Sequence, residues 1–236
     1  MSHWDICGCT VESMNVEDRR QRKARQTRNA LAAAALDLIL ESGLEAVTVA
    51  AIAERADVTR RTFSRYFVGK EDAALDFVRE DGDRINAMLR DRPGDEPPLL
   101  AYRRAVGDWL ADRENPATHL RPRMRRLLAL VDTEPALFAA YERIRVDAQE
   151  NSVRIIADRL ALEEGDAGGM RPAVVVDAAA GVLSAALRIW ARGTPARDPA
   201  PDAGADLASL VEQAYDALLG EAALAASHTE SSTTRK

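Results

Sequence analysis

Thr48-Val-Ala-Ala-Ile-Ala-Glu-Arg-Ala-Asp-Val-Thr-Arg-Arg-Thr-Phe-Ser-Arg-Tyr-Phe-Val-Gly-Lys70 is the stretch whose reading decides the fold. It predicts two short helices, Val49–Arg55 with Thr48 as N-cap and Arg60–Tyr66 with Thr59 as N-cap. The linker Ala56-Asp57-Val58 allows only a tight turn, so the pair reads as a helix-turn-helix. Val49, Ile52, Ala53, Ala56, Val58 and Phe63 would pack on Leu38, Ile39 and Phe67. Arg60 and Arg61 fall in the first turn of the second helix, where the macrodipole is positive and cations are disfavoured. A ligand anion or an acceptor-rich base edge accounts for them. The second helix of such a motif presents its N-terminal residues to the DNA major groove, where a guanidinium reads guanine O6 and N7.

Upstream, Leu31, Ala35, Leu38 and Ile39 recur at helical spacing and predict a helix from Thr27 to Ser42, closed by Gly43. Before it, Arg19, Arg20, Arg22, Lys23, Arg25 and Arg28 form a run without an acid, which reads as a basic arm that neutralises phosphates. The whole chain carries a net charge of −6. Residues 17–70, with 11 basic and 7 acidic side chains, are a basic module on an acidic body. Downstream, a fourth helix is expected from Lys70 to Leu89.

The breaker cluster Arg92-Pro-Gly-Asp-Glu-Pro-Pro98 marks a domain boundary. Beyond it, helices are expected over Leu99–Ala111, Arg121–Val131, Pro135–Leu162, Pro172–Arg192 and Ala203–Leu219, with loops at Gly165–Gly169 and Gly193–Asp202. Strand periodicity is absent, so the fold class is all-α, with about nine helices. The expected organisation is a disordered tail at 1–18, a DNA-binding domain at 19–78, a helical domain for ligand and dimerisation at 79–222, and a disordered tail at 223–236.

Several function classes are excluded by residue chemistry. The three histidines, His3, His119 and His228, are scattered, and no phosphate loop, Cys–His pair or Gly-x-Ser-x-Gly elbow occurs, so an enzyme is not expected. Cys7 and Cys9, one residue apart, make neither a disulfide framework nor a zinc site, so neither metal nor cofactor is called for. No secretion signal opens the chain, and the thiols suit a reducing, cytoplasmic setting. Pro172–Trp190 is apolar but contains Asp177 and Arg188, which reads as a buried helix and not a membrane span. The alternative to a DNA reader is a helical adaptor whose arm meets an acidic protein. Only a DNA reader would enrich a sequence from a random pool.

The ordered set Thr27-Arg-Asn-Ala-Leu, Gly43, Thr48-Val-Ala-Ala-Ile-Ala, Val58-Thr-Arg-Arg-Thr-Phe, Arg65-Tyr-Phe and Lys70-Glu71 resembles the DNA-binding domain of TetR-family transcriptional regulators. The resemblance implies a repressor that binds a near-palindromic double-stranded operator as a homodimer and is released by a small molecule. It places Thr48 and Thr59 at phosphates, Thr62 and Tyr66 facing backbone or bases, and Lys70 gripping a phosphate. Arg60 and Arg61 would read bases, and Arg22 and Arg25 of the arm would meet the backbone. Ser64 stands where an aromatic is usual, Arg61 where many members have Gly, and Val68-Gly69 where Pro-Ser is usual.

The resemblance also implies dimerisation through the last two helices, Pro172–Arg192 and Ala203–Leu219. The apolarity of the first on nearly all sides independently calls for a covering partner. Arg121-Pro-Arg-Met-Arg-Arg-Leu-Leu, Glu134-Pro-Ala-Leu and Tyr141-Glu-Arg are similar to C-terminal domains of mycofactocin-type TetR regulators. Tyr102, Val106, Trp109, Met124, Leu128, Phe138, Tyr141 and Ile144 are candidates for a pocket, Trp109 and Tyr141 foremost. Arg123 and Arg126 beside Met124 and Leu128 suit a ligand with an anionic head and an apolar tail, such as an acyl-CoA.

Overall fold

The computed structural model describes residues 8–160, 169–193 and 203–233. Among them are ten α-helices, one 3-10 turn and no strand. The chain divides into two compact units, Met1–Asp76 and Phe77–Lys236.

The first unit holds α1 (Gly8–Ser42), α2 (Val49–Arg55), α3 (Arg60–Phe63) and α4 (Lys70–Ala74). Its core is Leu31, Ala35, Ile39, Ile52 and Phe63, all at most 1% exposed. Phe63 and Phe67 meet at 5.7 Å between ring centroids. Two left-handed residues turn the chain. Gly43 (φ 82°) ends α1, its N–H donating to the Ile39 carbonyl at 2.9 Å. Asp57 (φ 52°) makes the α2–α3 turn, a conformation Asp tolerates better than most residues with a side chain.

Three expectations for this unit are corrected. Thr27 does not cap α1. It lies inside a helix that reaches back to Gly8, and its hydroxyl donates to the Lys23 carbonyl at 3.0 Å. The Arg-, Lys- and Gln-rich segment before it consists of good helix formers with no breaker, so propensity carries the helix through. The recognition helix α3 is four residues long, and residues 64–66 form a turn. So short a helix sums few peptide dipoles, which removes most of the macrodipole cost assigned to Arg60 and Arg61. Finally, the helix expected from Lys70 to Leu89 is two helices that break at Leu75.

The second unit holds α5 (Asp76–Arg90, of which Asp76 closes the first unit), α6 (Pro98–Ala111), the 3-10 turn Thr118–Leu120, α7 (Pro122–Val131), α8 (Pro135–Arg159), α9 (Met170–Arg192) and α10 (Ala203–Thr233). Prolines open α6, α7 and α8, where the missing N–H costs nothing. Helix α9 packs against α6, α7, α8 and α10. By length and composition it is the one described helix apolar enough to cross a bilayer, yet it forms the middle of this core, burying Val176, Ala179, Ala186, Leu187 and Trp190. The expected loops at 165–169 and 193–202 lie almost wholly outside the described residues, as do residues 1–7 of the expected N-terminal tail. The expected C-terminal tail is helical up to Thr233.

Candidate nucleic-acid interface and effector cavity

Two threonines set the geometry of the helix-turn-helix. Thr48 Oγ1 accepts the Ala51 N–H at 3.1 Å and starts α2. Thr59 Oγ1 accepts the Thr62 N–H at 3.1 Å and lies 3.0 Å from Thr62 Oγ1, starting α3. Ser64 Oγ donates to the Arg60 carbonyl at 3.2 Å and closes the turn. Arg60, Arg61 and Arg65 are exposed and make no ion pair among the described residues. Tyr66 and Thr62 are half-buried beside them.

Other cations of the unit are committed to the protein. Arg28 reaches Asp76 with two hydrogen bonds of 2.8 and 2.6 Å, and its guanidinium lies 5.2 Å from the Phe67 ring centroid. It therefore leaves the basic arm and ties α1 to Asp76, the last residue of the first unit. Arg55 pairs with Glu41 at 3.1 Å. Lys70 donates to the carbonyls of Leu44 and Val47 at 2.7 and 3.0 Å, so two of its three N–H groups brace the α1–α2 loop. Arg22 and Arg25 are exposed and lie three residues apart on α1, hence on one side of it.

In the second unit the candidate pocket residues separate. A cavity of about 70 Å³ is lined by Tyr102, Trp109 and Tyr141 together with residues the sequence reading did not place in a pocket, among them Asp81, His119, Asn86, Ser152, Arg145 and Ser184. Leu128, Phe138 and Tyr141 line an adjacent recess with Arg188. Arg123 and Arg126 are exposed, Met124 is half-buried, and none of the three lines either space. Val106 and Ile144 are core. Arg125 is neither solvated nor a ligand group. It donates to the Trp190 and Gly193 carbonyls at 2.6 and 2.9 Å, capping α9, and stacks 4.6 Å from the Trp190 centroid.

The cavity wall is polar and ordered. Asp81 accepts from Trp109 Nε1 at 3.1 Å, from the N–H groups of Thr118 and His119 at 3.3 and 3.2 Å, and from His119 Nδ1 at 2.6 Å. Burial pushes the Asp81 carboxyl up, but these donors outweigh it and hold it below the usual carboxylate range. Ser152 Oγ donates to Asn86 Oδ1 at 2.7 Å. Burial raises the Tyr102 and Tyr141 phenols, so both stay protonated. The signal for this wall was available in the sequence. Asp81 sits on the apolar stripe that runs through Val78, Ile85 and Leu89, where a carboxylate needs buried partners.

Residues 31–74 match the family of bacterial regulatory proteins of the tetR type. The chain is 35% identical over 188 residues to the HTH-type transcriptional regulator TcmR of Streptomyces glaucescens, covering 77% of this chain and 80% of that one. The chain belongs to the TetR family. As a member it is a DNA-binding transcriptional regulator and not an enzyme. The HTH-type transcriptional repressor KstR of Rhodococcus jostii is 31% identical over 85 residues, covering 36% of this chain and 40% of that one. A solved TetR-family regulator from Mesorhizobium loti aligns over 83% of this chain and 98% of its own, at 16% identity and a TM-score of 0.47.

Proposed function

We propose that this regulator is a repressor that binds a near-palindromic operator as a homodimer and leaves it when a small, largely apolar molecule enters the cavity of the second unit. The observation that carries the DNA-reading part is the contrast among arginines. Arg28 and Arg55 are paired, whereas Arg60, Arg61 and Arg65 stand exposed around a capped four-residue helix without an ion pair among the described residues. Arg60 and Arg61 read base edges, and Thr48, Thr59, Thr62 and Tyr66 line the backbone approach. The remaining N–H of Lys70, together with Arg22 and Arg25 on α1, meets phosphates.

Selection of bound DNA from a random pool tests this reading, and a palindromic consensus is the expected result. Arg61→Ala should relax preference at one base pair per half-site and cost about 1–3 kcal/mol. An unchanged consensus would remove Arg61 as a base reader, and a consensus without two-fold symmetry would reject the palindromic operator. For the effector, the ordered and aromatic lining of the cavity supports a compact ligand with hydrogen-bonding groups. The acyl-CoA form of the reading rests on Arg123 and Arg126, which line neither space. Titrating acyl-CoAs of increasing length against the operator complex of wild type and of an Arg123→Ala, Arg126→Ala double variant decides it. Equal release from both proteins, or release from neither, rejects the acyl-CoA.

A further inference from the structure

His119 is 4% exposed, and its ring is fixed on three sides. Phe77 and Trp109 meet it edge-on at centroid distances of 5.0 and 5.5 Å. Nδ1 lies 2.6 Å from Asp81 Oδ2. An ionised carboxylate can only accept, so Nδ1 carries the proton, and in the neutral ring Nε2 is then a bare acceptor. Nε2 meets no hydrogen-bonding partner among the described residues, and it is not sealed by protein, because His119 is part of the cavity wall. Elsewhere on that wall polar atoms are matched to one another: Ser152 with Asn86, Arg145 with Gln149 at 2.8 Å, and Trp109 with Asp81. An acceptor that borders a cavity, on a side chain otherwise buried, and is spared from such pairing calls for a donor from a ligand.

We propose that His119 Nε2 is the group on which the effector is read, and that the ligand is a hydroxyl-bearing, otherwise apolar molecule whose O–H donates to it. Asp81 is the positioning residue that holds the imidazole in the accepting tautomer. The inference deepens the reading of this cavity as the effector site and rests on it. It also gives the ligand a route to a helix. Asp81 lies on α5, against the cavity. A donor that pulls on His119 therefore pulls on α5 through a carboxylate that also holds Trp109 and the 3-10 turn.

The test uses the full chain and two probes of similar size, phenol and its methyl ether anisole, which lacks the donor. Binding is followed by titration calorimetry and by the imidazole nitrogen resonances of histidine-labelled protein. The wild type should bind phenol at least about tenfold more tightly than anisole, because a site built to pair a hydroxyl rejects the analogue without one. Phenol, and not anisole, should move the Nε2 resonance of His119. His119→Asn keeps a donor near the Nδ1 position and deletes Nε2, so it should fold and bind the two probes within about twofold of each other. Asp81→Asn, whose amide can donate to Nδ1 and so place the ring proton on Nε2, should abolish the preference, because the oxygens of phenol and anisole can both accept from it. Equal binding of both probes by the wild type, an unmoved Nε2 resonance, or a preference that survives in His119→Asn overturns the inference while leaving the cavity reading intact. Binding of neither probe overturns both.

Discussion

Chemically alike side chains in the DNA-binding unit do different jobs, and the structure separates them by partner. Lys70 is the sharpest case. As a simple phosphate grip it would be lost at no cost to the fold, but it hydrogen-bonds two carbonyls of the α1–α2 loop. Lys70→Met should therefore lower the stability of the protein by about 1–3 kcal/mol, read as a lower urea midpoint, because hydrogen bonds from a charged donor are worth more than neutral ones. Unchanged stability, with a salt slope of DNA binding lower by about 0.9, would return Lys70 to a pure phosphate contact. Two of the three expected threonine caps were legible, because a cap is a local event fixed within three residues: Thr48 and Thr59 stand where expected, whereas Thr27 lies inside α1. The partners of Lys70 and Arg28 were not legible. They lie 23 to 48 residues away in sequence, and no local pattern announces them.

At the scale of elements the lesson is similar. Helix existence followed from periodicity, and the proline-opened helices began within a residue or two of their expected positions. The break at Leu75 had no signal, since neither Gly nor Pro marks it, and Leu75 itself is fully buried, so tertiary packing makes the break. The breaker cluster Arg92–Pro98 does break the helix, but it is not the domain boundary expected there: it lies inside the second unit, which begins at Phe77, and its bracing was not legible. Glu96 accepts from Arg92 at 2.6 and 3.0 Å and also from Arg104, tying the end of α5 to α6. The Arg92 hydrogen bonds, helped by Arg104, hold its carboxyl down at about 2, against 4.5 for a free glutamate. A carboxyl depressed in the folded state lends stability that is complete above its unfolded value and is lost as pH falls through its folded one. Wild type should therefore lose this contribution between about pH 4.5 and 2. Glu96→Gln should be less stable at neutral pH and should show a shallower acid limb in that window. Parallel acid limbs for the two proteins would mean that the two arginines are not worth measuring at this site.

For the whole molecule, the question is what covers α9. Its inner positions are buried by α6, α7, α8 and α10, but Val174, Gly181, Ala185 and Ile189 face outward along one stripe, with Val174 and Ile189 each 60% exposed. The same stripe passes the half-buried Ala178, so its middle is small and its ends are bulky, a profile that permits close approach of a second helix. The sequence showed that α9 was too apolar to stand in water. It did not show which face was left over, because that depends on how many helices of the same chain reach it. A Cβ built on Gly181 meets no atom within 4 Å, so a side chain there leaves the packing of the subunit untouched. This makes Gly181 a clean probe of assembly. Gly181→Glu with Ala185→Glu should keep the helical spectrum and a cooperative melt, since neither position is buried in the subunit. It should place two charges per subunit inside a dimer contact, where unpaired burial is costly. Sedimentation equilibrium should then find wild type at twice 25.7 kDa and the double variant at 25.7 kDa. Affinity for a palindromic operator should fall with dimerisation, because each half-site must then be bound separately. A double variant that still sediments at twice the subunit mass would move the dimer contact off this stripe.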